Sequence, residues 1–267
     1  MKVVLFCGGL GTRIREYSEA VPKPMVPIGS QPILWHLMDY YSRQGHSDFI
    51  LCLGHKANAV KEFFLTQRAQ AYSDLVISQH GAKVETLGEQ REDWRVTLID
   101  TGAWRNIGER LWSVRDQVEG EEYFLANYSD GLSDVPLDEM IAAFKASGKA
   151  ACFLAVHPML TFHLADIDEA GRVRAMVPSD NAGMWINGGF FIFRKDIFDY
   201  IREGEELVLE PFERLIKADQ LMAYRYEGFW RPMDTLRDRQ VLEDMVDQGR
   251  MPWRLRDSTR ALRLKER

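Results

Sequence analysis

Cysteine is scarce in this chain. Three thiols, Cys7, Cys52 and Cys152, are scattered through 267 residues. An odd, dispersed set excludes a disulfide scaffold and lacks the paired spacing of a zinc site, so three reduced thiols in a cytoplasmic protein is the simple reading. The six histidines show no ligand spacing either. No apolar run approaches the roughly 20 residues that a membrane helix needs. The short run after Lys2, Val3 to Cys7, is too brief for a secretion signal. Positive charge is also in short supply. With 34 basic against 40 acidic residues the net charge is -6, which argues against a nucleic-acid partner. There is no internal repeat, low-complexity segment or linker. Two familiar phosphate motifs are missing as well: neither G-x-x-x-x-G-K-[ST] nor G-x-G-x-x-G occurs.

What remains is an ordinary globular composition, 46% hydrophobic and 28% charged. Val3 to Phe6 reads as a buried strand. From Pro32, Ile33, Leu34, Leu37, Met38 and Tyr41 recur at helical spacing, and Gly45 suits the stop. Asp48 to Leu53 is strand-like, and a helical pattern follows through Val60, Phe63 and Phe64. Asp74 to Ser78 and Arg95 to Ile99 read as further strands. A helix around Ile107 to Val114 leads to another strand at Tyr123 to Ala126. Strands alternating with helices predict a doubly wound, mostly parallel α/β sheet. The middle changes character. Ala151 to Val156 is apolar, Ala165 to Val177 reads as a hairpin turning at Glu169 to Gly171, and Ile186 to Phe193 is a buried strand. The expected organisation is one domain over 1–254 with a small β-rich insertion at about 155–185. The helical segment Leu236 to Gly249 closes it, and a basic tail, 255–267, follows as a solvated tail or short surface helix, with a partner-binding arm as the alternative.

The first strand breaks into Cys7, Gly8, Gly9, Gly11, Thr12 and Arg13. In an open α/β sheet ligands sit beyond the carboxyl ends of strands. Glycines there let backbone N–H groups approach an anion, and an arginine adds a bidentate donor. The plain alternative is a tight turn with a surface arginine. Lys23 lies between Pro22 and Pro24, where the backbone cannot be helix interior and an extended Pro-Lys-Pro would hold the ammonium in place. Two isolated acids stand at element ends: Asp130 in YFLANYSDGL and Asp234 in FWRPMDTL. Each also reads as a turn or N-cap aspartate, and for Asp234 the cap is a serious competitor.

GGLGTR followed by PKPM resembles the signature of the sugar-1-phosphate nucleotidyltransferases. YSDG and MDT resemble that family's two metal-binding segments, and WRVTLIDTGAWRNIGERL, INGGFFIF, EGFWRPMDTLRD and MPWR extend the likeness over most of the chain. Within the family the likeness is to the glucose-1-phosphate cytidylyltransferases. The resemblance implies a glycosyltransferase-A-like nucleotide-binding fold and CTP or a related triphosphate as donor. It also implies a small phosphorylated acceptor, pyrophosphate release, one Mg²⁺ held by Asp130 and Asp234, and assembly into a homo-oligomer through the β-rich region. By the same likeness Cys7, Gly8, Gly9, Gly11, Thr12, Arg13, Arg110 and Ser129 face the nucleotide, with Arg13 and Lys23 catalytic. His163, Asn187, Gly188 and Glu210 face the acceptor. Cys7 is small packing rather than a nucleophile. Arg110 reads equally as a nucleotide contact or a solvated helix residue. UTP, dTTP and a non-catalytic nucleotide sensor remain as alternatives.

Two departures lie on the acceptor side. Where related enzymes carry Glu-Lys-Pro, this chain reads AMVPSDNAGMWINGG, without lysine. Where they carry Arg-Phe-Gly, it has Thr161, Phe162 and His163. Losing a charge-assisted phosphate contact costs roughly 1.5–3 kcal/mol. The expectation is an acceptor other than glucose 1-phosphate, or a replacement cation, with His163 the candidate.

Overall fold

The computed structural model describes residues 1–9, 21–67, 74–79, 83–87, 93–159, 163–178 and 183–254. Gly11, Thr12, Arg13 and the tail 255–267 lie outside the described residues. Fifteen strands are described. Seven form the central sheet: β1 (Val3–Phe6), β4 (Asp48–Leu53), β7 (Arg95–Asp100), β8 (Tyr123–Asn127), β10 (Ala151–Val156), β13 (Ile186–Arg194) and β14 (Leu221–Arg225). The other eight make four short ribbons: β2 (Pro27–Ile28) with β3 (Gln31–Pro32), β5 (Asp74–Ser78) with β6 (Lys83–Leu87), β9 (Gly131–Ser133) with β15 (Trp230–Pro232), and β11 (His163–Ile167) with β12 (Val173–Pro178).

The sheet order is β14-β10-β13-β8-β1-β4-β7. Every neighbouring pair is parallel except the two made by β13, which runs against both β8 and β10. The chain therefore winds outward from β1 in both directions, first through β4 and β7, then through β8 and beyond. That reversal between β1 and β8 is the topological switch point where α/β sheets open a crevice.

Why β1 occupies the centre is written in its four residues. Val3 and Leu5 pack on one side of the sheet and Val4 and Phe6 on the other, all at most 4% exposed. A strand buried on both faces must be apolar throughout. Helices cover both faces. On the Val3 side lie α1 (Ile33–Arg43), α2 (Ala57–Glu62), α4 (Leu137–Ser147) and α6 (Leu236–Asp247). On the Val4 side lie α3 (Ile107–Ser113) and α5 (Glu210–Lys217). In α1 the spacing of Ile33, Leu34, Leu37, Met38 and Tyr41 keeps one stripe fully buried. Helix α4, which begins its buried stripe at Leu137, Met140, Ile141 and Phe144, fills the same layer after β9.

Two expectations change. Asp74 to Ser78 is a strand, but among the described residues it pairs antiparallel with Lys83–Leu87 and not with the main sheet. Sequence periodicity predicts extended backbone, not the partner. The Pro-Lys-Pro segment is extended only at Pro22 (φ -66, ψ 152); Lys23–Met25 closes a 3-10 turn, with Met25 N–H on Pro22 O at 2.8 Å. A proline is tolerated there because the first turn of a helix needs no internal N–H donor from it. The hairpin at 163–178 turns through Asp168 to Arg172, with Gly171 N–H on Asp168 O. No helix among the described residues is long and apolar enough to cross a membrane.

Candidate functional site

Two short strands solve a problem of distance. Asp130 and Asp234 are far apart in sequence, yet β9 and β15 lie side by side with Gly131 opposite Pro232 and Ser133 opposite Trp230. Continuing that ladder, Met233 N–H bonds Asp130 O at 2.8 Å. The two aspartates therefore flank one antiparallel crossing just beyond β8, at the switch point. The competing cap role for Asp234 falls away. The N-cap of α6 is Thr235, whose hydroxyl takes Asp238 N–H while the Asp238 carboxylate takes Thr235 N–H.

Lys23 completes the cluster. Its Nζ donates to Asp130 Oδ2 at 2.7 Å and to Asp234 Oδ1 at 2.6 Å. Burial pulls the ammonium pKa down, but the Asp130 charge and the bonds to both carboxylates outweigh it, and the net shift is upward. Lys23 is held as a cation.

These donors suit Mg²⁺. Two hard carboxylates meeting at one point, each with its side chain 28% or 30% exposed, match an ion that takes few protein ligands and keeps water or phosphate in the rest of its shell. No group of three or more potential ligands occurs among the described residues, so a closed protein cage is not formed there.

Arg110 is neither a solvated helix residue nor an outward-facing one. It is 2% exposed, and it reaches from α3 under three strand ends. Nη1 donates to Leu53 O at 3.1 Å and Thr101 Oγ1 at 2.8 Å, and Nη2 to Gly8 O at 3.0 Å. The loops after β1, β4 and β7 are thus tied to one guanidinium. This also explains Gly8: a Cβ there would collide with that guanidinium. At Gly9 a Cβ would meet nothing within 4 Å. Cys7 is buried, with its N–H on Cys52 O. Burial pushes its thiol up to about 12, so it stays a neutral packing group. Ser129 is buried in the left-handed region (φ 64), and its Oγ lies 2.7 Å from Phe6 O and 2.6 Å from Tyr128 O. That hydroxyl stitches the end of β8 to the end of β1.

Among the residues expected to face the acceptor, Asn187 Nδ2 donates to Tyr128 OH at 3.2 Å, and its Oδ1 takes Gly189 N–H. Gly189 sits at φ +78 with the Tyr128 ring 2.7 Å from where a Cβ would be, so only glycine fits. Gly188 O accepts Trp230 Nε1–H at 2.8 Å. Glu210 opens α5 with its side chain exposed. The side chain of His163 lies outside the described residues; its backbone pairs with Pro178.

Three residues of this region escaped the sequence reading: Tyr128, Glu206 and Trp230. Burial and then the Glu206 charge raise the Tyr128 hydroxyl pKa, which puts Glu206 in electrostatic reach of the Asn187–Tyr128 pair. Glu206 itself is half-buried and pushed upward by burial, against N–H donors from Ile107 and Leu207. A half-buried acid has no local sequence signal. Tyr128, next to Ser129 and Asp130, was findable by position. Trp230 joins β15 to Gly188. A cleft of about 560 Å³ opens beside it, lined by Val156, Met159, Phe229, Arg231 and Arg237 among others.

A family model described as "Nucleotidyl transferase" matches residues 2–237. Glucose-1-phosphate cytidylyltransferase of Salmonella typhi is 40% identical to this chain over 256 residues, covering 95% of this chain and 99% of that protein. Probable glucose-1-phosphate cytidylyltransferase of Bacillus subtilis (strain 168) is 33% identical, covering 96% and 100%. Among solved structures, HddC from Yersinia pseudotuberculosis aligns with TM-score 0.66 at 21% identity, covering 92% of this chain and 99% of that one. A putative glucose-1-phosphate thymidylyltransferase from Bacillus anthracis gives 0.66 at 16%, covering 92% and 94%. At those identities the structures speak for the fold, and they match a mostly parallel sheet of the glycosyltransferase-A-like kind. The family model and the curated relatives speak for the chemistry: this chain belongs to the nucleotidyl transferase family, as an enzyme of the sugar-1-phosphate nucleotidyltransferase kind.

Proposed function

We propose that this enzyme transfers CMP from CTP to a small phosphorylated acceptor, with Mg²⁺ held by Asp130 and Asp234. The observation that carries this reading is the meeting of Lys23 Nζ with both aspartates, at 2.7 and 2.6 Å, at the switch point of the sheet. An acceptor phosphate oxygen forms a bond to the α-phosphorus of the triphosphate. The bond from that phosphorus to the bridging oxygen breaks, and pyrophosphate leaves with the electron pair. Bound Mg²⁺ supplies charge neutralisation for the triphosphate oxygens. Lys23 supplies a second positive charge, and Arg13 with the N–H groups of Gly8, Gly9 and Gly11 and the Thr12 hydroxyl orients the phosphates. No nucleophilic side chain is required, since positioning and electrostatics carry such transfers.

The nucleoside lies toward β4 and β7, whose loops Arg110 ties to Gly8. Ser129 supports the floor between the two halves. The acceptor lies toward β13, against Asn187 and Gly188, with His163 and Glu210 at its margin. The likeness to cytidylyltransferases favours CTP. The absence of lysine from 175–189 favours an acceptor other than glucose 1-phosphate. The hairpin β11–β12 exposes Ile167, Val173 and Met176 at 55–59%, a surface suited to contact with a second copy. Cytoplasmic location follows from reduced thiols and metabolite substrates.

The test is a screen of CTP, UTP and dTTP against phosphorylated acceptors, read by the mass of the nucleotidyl product, with and without EDTA. A CMP-linked product that requires metal supports the reading. A UMP- or dTMP-linked product moves the donor assignment. No product with any pair leaves a nucleotide sensor as the better description. Light scattering reads the oligomeric state.

A further inference from the structure

The Lys23 ammonium already has two partners. Nζ lies 2.7 Å from Asp130 Oδ2 and 2.6 Å from Asp234 Oδ1, one oxygen of each carboxylate assigned to the divalent cation. Two carboxylates at one point repel unless a cation lies between them. Lys23 is 9% exposed and is carried by a 3-10 turn with Pro22 at its N-cap and Pro24 within it, so any change of partner must come from its four-carbon side chain and not from its backbone. A Mg²⁺ ion sits about 2.1 Å from its carboxylate oxygens. An ammonium and a divalent ion on the same two oxygens would be in direct charge contact, and both cannot stay.

We propose that the Lys23 ammonium is a built-in stand-in cation for the Asp130–Asp234 pair, and that a divalent metal enters by displacing it. This rests on the metal assignment of the proposed function and adds an exchange to it. The displaced ammonium needs a new anionic partner. The triphosphate arrives with the metal and offers phosphate oxygens. Metal arrival and transfer of Lys23 onto phosphate are then one coupled event. Without nucleotide the ammonium keeps its place, and the metal binds weakly. The carboxylates are kept aligned in the meantime instead of splaying apart.

The experiment measures Mn²⁺ affinity of the nucleotide-free, full-length protein by electron paramagnetic resonance and titration calorimetry. Lys23→Met keeps the bulk and removes the charge. It is expected to bind Mn²⁺ about tenfold to a hundredfold more tightly than wild type, the worth of a charge-assisted bond that no longer competes. Lys23→Arg keeps a cation and is expected to bind as weakly as wild type. Arg231→Gln removes a cation three residues from Asp234 and is expected to change affinity less than about threefold, which separates displacement from general charge. Asp130→Asn is expected to abolish binding in the wild-type and Lys23→Met backgrounds alike. Thermal melting gives a second reading: Mn²⁺ is expected to raise the melting temperature of Lys23→Met more than that of wild type. If Lys23→Met binds Mn²⁺ no better than wild type while Asp130→Asn still abolishes binding, the exchange is wrong and the metal assignment stands. If Asp130→Asn leaves Mn²⁺ binding intact, both fall.

Discussion

Arg110 Nη2 donates to the carbonyl of Gly8 at 3.0 Å, and the same guanidinium fills the space a side chain at position 8 would need. The glycine loop therefore owes its shape to a buried cation from α3. With two further bonds to Leu53 O and Thr101 Oγ1, this one residue fixes the spacing of three loops at the nucleotide end.

Arg110→Met should lower stability by about 2–4 kcal/mol, because it strands buried carbonyl oxygens without their donor. It should also weaken triphosphate binding by loosening the loop after β1. Arg110→Lys should not rescue it, since an ammonium cannot reproduce the planar fork that spans Leu53, Thr101 and Gly8. Urea unfolding and equilibrium nucleotide binding read the two effects. Full stability in Arg110→Met would show that the bonds contribute little.

Asp130→Asn and Asp234→Asn should each cut turnover by about 10²–10⁴ while leaving the melting temperature within a few degrees of wild type. The fold survives because Lys23 keeps one carboxylate partner in either variant. Pyrophosphate release at limiting Mg²⁺ is the measurement. Near-normal rates in either variant would remove it from the metal assignment.

With CTP as donor, glucose 1-phosphate should be a poor acceptor, with kcat/KM below about 10⁴ M⁻¹s⁻¹, the low end of ordinary enzymes. The segment 175–189 has no lysine to pair the phosphate, and residues 161–163 depart from the related Arg-Phe-Gly. Steady-state kinetics against a panel of phosphates decides it. A value above that limit would restore glucose 1-phosphate as the natural acceptor.

Acid should destabilise the protein before its carboxylates titrate. Burial, aided by the N-terminal charge and opposed by Asp138, lowers the His46 pKa to about 4, and burial also lowers that of His36. In the unfolded chain both titrate near the usual ~6.5. Between those values the unfolded state takes up protons that the native state refuses, so stability falls as pH drops from ~6.5 toward 4. Both ring nitrogens of His46 are buried without a hydrogen-bond partner. His46→Leu should therefore lose less stability on acidification and nothing at neutral pH. Urea midpoints at pH 7.5 and 5 test this; identical acid sensitivity in the variant would count against His46.

The first strand, the lysine turn and the two acids at element ends were legible in the sequence because they depend on local signals. A strand ending in glycines, a lysine framed by prolines and acids at element ends all announce themselves within a few residues. What the sequence concealed was long-range pairing. Asp74–Ser78 reads like any other strand, but its partner among the described residues is Lys83–Leu87. Arg110 read equally as surface or site, because nothing local says that a helix arginine will be 2% exposed beneath Gly8. Glu206 and Trp230 acquire meaning only through residues that the fold brings beside them.

The one reversed strand has an evolutionary consequence. Because β13 runs against β10, the stretch from 157 to 185 connects two adjacent antiparallel strands and, among the described residues, carries the β11–β12 hairpin. Connections of this kind lengthen at little entropic cost, about 0.6 kcal/mol per doubling. Such a segment behaves as an interchangeable cassette. Under the proposed function it is the part to rewrite for a new acceptor, while Lys23, Asp130 and Asp234, carried by other connections, stay as they are. Grafting 157–185 between relatives is thus the natural route to moving acceptor preference without rebuilding the enzyme.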